Sequence, residues 1–105
     1  MERLYFDFDG GRDVPPGAPC IVGVLGSGNL EVLVESTGES GRCAIEVNTA
    51  SAGFARIWKA VLADFFERHR AGSLRILVND AGATPATVAL RLDQALEAFA
   101  KPRKS

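Results

Sequence analysis

From Glu2 to Phe8 the chain alternates, with Leu4, Phe6 and Phe8 set against Arg3, Tyr5 and Asp7. A period of two predicts a half-buried strand, because successive strand side chains point to opposite faces. A loop follows through Asp9-Gly10-Gly11, Pro15-Pro16-Gly17 and Pro19. Pro removes backbone donors there and Gly relaxes the backbone. Cys20 to Leu25 is a short apolar run suited to a buried strand, and Gly26-Ser27-Gly28-Asn29 breaks it. Next, Leu30, Val32 and Val34 alternate with Glu31 and Glu35. After the turn signal Gly38-Glu39-Ser40-Gly41, Cys43, Ile45 and Val47 alternate with Ala44, Glu46 and Asn48. Two alternating runs around a glycine turn predict an antiparallel hairpin from Leu30 to Asn48.

At Phe54 the period changes. Phe54, Ile57, Trp58, Val61, Leu62, Phe65 and Phe66 recur at helical spacing and form one apolar stripe. Ser51 is a candidate N-cap. The cationic end Arg68, His69, Arg70 and the following Gly72 read as a helix C-terminus and its glycine stop. Leu74, Ile76 and Val78 predict a further strand, which Asn79-Asp80-Ala81-Gly82 leaves. Thr84 and Pro85 then open a second helix as N-cap and first helical residue. Val88, Leu92, Ala95, Leu96 and Phe99 mark its buried stripe.

The order β-β-β-β-α-β-α predicts an α/β (α+β) two-layer sandwich. Its sheet is mainly antiparallel, with four to five strands, and its two helices lie on one face. The 105 residues fit a single domain over 1–105. Residues 1–19 supply a strand and a Pro/Gly loop, and 101–105 read as a frayed tail.

Composition narrows the function classes. With 47% hydrophobic residues the chain has enough apolar material for one core, unlike a disordered chain. A net charge of -1 supplies no global field for nucleic acid. The short basic tail Lys101, Arg103, Lys104 reads as a solvated terminus. Cys20 and Cys43 lack zinc-site spacing, so buried free thiols in a reducing compartment are expected. Met1 to Phe8 alternates and carries acids, unlike an apolar leader, and no segment approaches a membrane span. A cytoplasmic protein with no membrane insertion is therefore the expectation.

The search for chemistry turns on one residue. His69 sits among arginines at a helix end, where an exposed structural role is expected rather than a general base. Glu31 and Glu35 fall on the wet side of a strand. No metal-ligand spacing is evident. Gly26-x-Gly28 resembles the start of a dinucleotide fingerprint, but the third glycine is missing and a strand follows instead of a helix. The phosphate-binding Gly-Lys-Ser/Thr and the hydrolase Gly-x-Ser-x-Gly are absent too. What remains is Ser27 between two glycines at a strand-to-strand corner. Local sequence alone favours a polar turn residue. The functional alternative is an acceptor serine, which needs exposure and room but no base of its own. Gly26 and Gly28 provide that room, having no Cβ.

Two stretches carry a family resemblance. Val22-Gly23-Val24-Leu25-Gly26-Ser27-Gly28-Asn29-Leu30-Glu31-Val32-Leu33 resembles the prosthetic-group loop of malonate decarboxylase acyl-carrier (delta) subunits. Val78-Asn79-Asp80-Ala81-Gly82-Ala83-Thr84-Pro85 is similar to the Asn-Asp-x-Gly-Ala-Thr-Pro stretch of the same family. The helix around Trp58 and the last helix, with Leu90, Arg91, Leu92, Gln94 and Ala95, also fit. The similarity covers nearly the whole chain, whose length is that of a complete subunit. One position departs: Asn29 stands where the family loop usually has Asp, which puts a docking role of that charge in doubt.

The resemblance implies a non-catalytic carrier. Ser27 would hold a phosphoribosyl-dephospho-coenzyme A arm through a phosphodiester. The arm's thiol would carry acetyl and malonyl, on the way from malonate to acetate and CO2. Implied partners are the acyl-transferase and decarboxylase subunits, a malonyl transferase, and the transferase that attaches the prosthetic group. The Asn79–Pro85 loop has a sufficient structural reading as strand end and helix start, and its distance from Ser27 is open. Trp58 reads as core. Two alternatives stay beside this one: the gamma carrier subunit of a citrate lyase, and an interaction protein of the same fold without an arm. A stand-alone enzyme lacks a plausible base, nucleophile pair or metal site.

Overall fold

The computed structural model describes residues 1–24 and 27–100, and for residues 23–28 only backbone where it describes them. The tail at 101–105, read above as frayed, lies outside the described residues, as do Leu25 and Gly26. The main strands are β1 (Glu2–Phe8), β3 (Cys20–Val24), β4 (Ser27–Ser36), β5 (Cys43–Thr49) and β7 (Leu74–Asp80). Two-residue strands β2 (Arg12–Asp13) and β6 (Ala71–Gly72) pair with each other in parallel. The helices are α1 (Ala55–His69) and α2 (Pro85–Ala100).

The large sheet has the order β1-β5-β7-β4-β3. Three of its pairs are antiparallel and one, β5 with β7, is parallel. The expected two-layer sandwich of five strands and two helices is present, with a mixed sheet. Alternation is strict where the sheet faces the helices. Leu30, Val32 and Val34 on β4, Cys43, Ile45 and Val47 on β5, and Leu74, Ile76 and Val78 on β7 are all buried. They join Trp58, Leu62, Phe65 and Phe66 of α1 and the five predicted residues of α2 in one core.

The hairpin expected from Leu30 to Asn48 does not form, because β7 lies between β4 and β5. β7 carries Leu74, Ile76 and Val78 on one face and the half-buried Leu77 on the other. The second face is otherwise polar, with exposed Arg75 and half-buried Asn79 beside Leu77, so the pattern of β7 alone does not mark it as a central strand. Strands two places apart are about 10 Å from each other. The connection over residues 37–42 is long enough to cross that gap, whereas a two-residue turn is not. β7 enters between its ends: Thr37 N–H donates to Ser73 C=O at 2.9 Å, and Leu74 N–H donates to Arg42 C=O at 3.1 Å.

Helix ends also differ from expectation. The N-cap of α1 is Phe54, with no side-chain hydrogen bond, and not Ser51. Ser51 instead donates its N–H to Thr49 Oγ1 at 3.1 Å, which holds it in the turn before the helix. The left-handed residue that stops α1 is Arg70, with φ 49, and not Gly72. Gly72 has another task. A Cβ there would stand 2.8 Å from the backbone of Gly41, so only glycine lets β6 pass this close. At the start of α1, Phe54 and Ile57 are each 46% exposed instead of joining the buried stripe. Cys43 is buried as expected, while Cys20 on the edge strand is half-buried. Thr84 caps α2 as expected, accepting the Thr87 N–H at 3.2 Å.

Candidate functional site

The Ser27 corner is built by an irregular β3–β4 pairing. Val22 faces Val32, and the next pair is Val24 with Ser27. β3 advances two residues where β4 advances five, so β4 bulges there. Bulges of this kind re-aim a strand at the rim of a sheet. Asn29 lies in the bulge with φ 57, a left-handed backbone that Asn tolerates better than most residues. Pairing of β4 with β7 begins at Leu30 opposite Asp80. Ser27 to Asn29 therefore extend past the last residue of β7. The backbone of Ser27 is placed in this corner, and its side chain lies outside the described residues.

The second motif lies against the first. Ala81 N–H donates to the carbonyl of Asn29 at 2.8 Å. The distance left open by the sequence is thus short: the Asn79–Pro85 loop borders the corner two residues from Ser27. Within the loop, Asp80 is the organiser. Its side chain follows Leu74, Ile76 and Val78 on the inward face and is only 8% exposed. Its Oδ1 accepts the N–H of Gly82 at 3.2 Å and of Ala83 at 2.8 Å. Its Oδ2 accepts the Thr49 hydroxyl at 2.8 Å. A buried carboxylate is tolerable when donors meet its oxygens, as here. Asp80 thereby ties the ends of the parallel strands β5 and β7 to the start of α2. Gly82, with φ 107, makes the turn.

Asn79 points to the other, open face. A side-chain ladder crosses four strands there: Arg3 Nε to Asn48 Oδ1 at 3.0 Å, Asn48 Nδ2 to Asn79 Oδ1 at 3.2 Å, and Asn79 Nδ2 to Glu31 Oε1 at 3.1 Å. Glu31 is thus tied into the sheet next to the corner, not freely solvated. His69 is exposed at the far end of α1, where its Nε2 lies 2.8 Å from Asp93 Oδ1. Arg68 Nη1 bonds both oxygens of the same carboxylate at 3.0 Å. That cluster fastens α1 to α2 and is not brought to Ser27.

A cavity of about 260 Å³ opens between the N-terminal turns of α1 and α2, at the C-terminal ends of β5 and β7. Its apolar wall includes Phe54, Ile57, Trp58, Val61 and Val88, and Thr49 and Asp80 supply polar atoms. Crevices at the carboxyl ends of parallel strands are a common location for ligands. Sequence reasoning missed this cavity. The signal was Asp80, an acid at a core position of an alternating strand.

The fold is thus an α+β sandwich whose bulged β3–β4 corner is hydrogen-bonded to the loop that lines the crevice. Comparison with known proteins is more specific. The family model of the malonate decarboxylase delta subunit (MdcD) matches residues 18–99. The chain is 53% identical over 95 residues to the malonate decarboxylase acyl carrier protein of Burkholderia cepacia, covering 90% of this chain and 87% of that one. It is 54% identical over 98 residues to the protein of the same name from Xanthomonas euvesicatoria pv. vesicatoria, covering 92% and 93%. A chain in the crystal structure of a Pseudomonas malonate decarboxylase hetero-tetramer in complex with malonate superposes with a TM-score of 0.81 at 39% identity. That match covers 93% of this chain and 98% of the other. The chain belongs to the malonate decarboxylase delta subunit family.

Proposed function

We propose that this chain is the acyl carrier subunit of a malonate decarboxylase, with the Ser27 hydroxyl as the attachment point of a phosphoribosyl-dephospho-coenzyme A arm. The observation that supports this best is the position of Ser27. It sits on a bulged corner that runs past the end of β7, within a chain whose relatives carry the carrier name. The corner fits a bulky substituent: Ser27 is flanked by Gly26 and Gly28, and β7 pairs with β4 only from Leu30 onward. When bound, the arm supplies a thiol that carries acetyl and malonyl as thioesters.

The residues of this chain hold and present. Ser27 Oγ gives its proton to a base of the modifying transferase and forms the ester bond to the phosphorus of an activated donor, whose leaving group departs. Asp80, through Gly82, Ala83 and Thr49, fixes the loop that borders the corner. The Ala81 to Asn29 hydrogen bond fixes the base of the corner itself. A rigid base under a flexible tether keeps the carried group near partner active sites at effective concentrations on the order of mM. Bond making and breaking belongs to partner subunits of transferase and decarboxylase type. The similar Pseudomonas chain belongs to a hetero-tetramer, which supports an assembly with other subunits.

The test is co-expression with the cognate arm transferase, followed by intact-mass measurement. The reading expects one increment of the arm's mass, located on the peptide containing Ser27. An unmodified chain, under conditions that load a known carrier, would instead favour an interaction protein without an arm.

A further inference from the structure

We infer that the cavity between the N-terminal turns of α1 and α2 is a binding site for a short, uncharged acyl thioester, acetyl in preference to malonyl. The assignment deepens the Ser27 reading and rests on it for the tethered form of the ligand. Three observations carry it.

The first is position. Asp80 lines the cavity and pairs across the sheet with Leu30, three residues from Ser27. Three residues reach at most about 10 Å, so Ser27 lies within about that distance of the β4 residue paired with Asp80, a span that a flexible arm covers. The Ala81 to Asn29 bond makes the two regions one continuous surface.

The second is size. About 260 Å³ lies below the roughly 300–1,000 Å³ of pockets that enclose drug-sized ligands. The cavity takes the end of an arm, not a whole cofactor. Phe54 and Ile57, each 46% exposed, form an apolar rim that nothing in the fold covers among the described residues.

The third is charge. Ser51 offers a hydroxyl, the Thr49 hydroxyl is already donated to Asp80, and the only charged group among the lining residues is the Asp80 carboxylate. A malonyl carboxylate entering here sheds its water and meets a like charge with no lysine or arginine in the wall. The N-terminus of α1 is uncapped and carries no acid in its first turn, which favours an anion. The N-terminus of α2 opens on the same cavity, but Thr84 caps it by accepting the Thr87 N–H at 3.2 Å. At about +0.5 each, the two termini together do no more than offset the Asp80 carboxylate. The α1 terminus is enough to donate to a neutral thioester carbonyl. Sheltered in this site, the acetyl thioester is kept from water between transfers, whereas the malonyl form stays outside for the decarboxylase.

The experiment uses the full chain and S-acetyl-pantetheine, S-malonyl-pantetheine and free pantetheine as probes. Trp58 is the one tryptophan, lines the cavity, and reports occupancy by its emission. Amide resonances of Ala83 and Val88 serve as a second readout. Saturable binding of the acetyl probe in the mM range is expected, with the malonyl probe at least about tenfold weaker. Val88→Phe fills the cavity and abolishes the response. Ile57→Lys, at an exposed rim position and so harmless to folding, adds a cation and narrows the acetyl-to-malonyl ratio by about tenfold. No response to the acetyl probe, or equal or tighter malonyl binding, overturns the assignment. An arm-loaded, acetylated chain, verified by mass, whose Trp58 emission matches the unloaded chain also overturns it and leaves the attachment intact. A chain that binds the acetyl probe but never gains the arm's mass overturns the attachment and keeps the cavity as a site for a free thioester.

Discussion

The N–H of Ala81 donates to the carbonyl of Asn29 at 2.8 Å, which joins the two sequence motifs into one surface. The motifs are some fifty residues apart in the chain. Their meeting depends on β7 pairing with β4, since Leu30 faces Asp80 one step before that bond. What holds the Asn79–Pro85 loop therefore also holds the corner that carries Ser27.

Asp80 is the test of that coupling. Asp80→Ala removes the acceptor of the Thr49 hydroxyl and of the Gly82 and Ala83 amides. Of these donors the Thr49 hydroxyl is buried, and leaving it unmet costs about 1–3 kcal/mol. Urea melts are expected to show a loss of about 2–3 kcal/mol. Asp80→Asn is expected to lose less, because one acceptor oxygen remains. Amide shifts of Asn29 should move in both variants.

Gly72→Ala places a Cβ 2.8 Å from the Gly41 backbone, where no flexible side chain can give way. Overpacking of this kind typically costs about 1–3 kcal/mol. A thermal or urea melt checks it. Gly38→Ala, where an added Cβ meets nothing within 4 Å, is the control and should change little.

Cys43 gives a pH signature. Burial pushes its thiol up to about 12 from an ordinary 9.0. The folded state then keeps a proton that the unfolded chain releases above 9, so stability is full below 9 and falls as pH rises towards 12. The slope is at most about 1.4 kcal/mol per pH unit. Cys43→Ala should remove this component from the difference between melts at pH 8 and pH 10.5. A thiol reagent on the native protein should label half-buried Cys20 well before Cys43.

Much of this was legible in the sequence where the cause is local. The alternation of Leu4, Phe6 and Phe8 is β1, the stripe Val88 to Phe99 is the buried face of α2, and Thr84-Pro85 opens that helix. The partner of a strand is a different matter. β4 and β5 each alternate correctly, but nothing local states that β7, arriving thirty residues later, will separate them. The same holds for the tight β2–β6 contact, which assigned Gly72 to close backbone packing and left the helix stop to Arg70. For the site, Ser27 and the second motif were visible, and their adjacency was not, since it is a product of sheet order. The cavity was hidden for a further reason. Phe54 and Ile57 continue an apolar helical stripe, and periodicity does not distinguish a core wall from the rim of an opening.

Intact mass reads attachment of the arm at Ser27 without an intermediate step. The wild-type chain and Ser27→Ala are each co-expressed with the arm transferase and weighed. One arm's mass is expected on the wild type and none on the variant, with melts that agree within about 0.5 kcal/mol. An increment that persists in Ser27→Ala, or its absence from a wild-type chain under conditions that load a known carrier, would contradict that attachment.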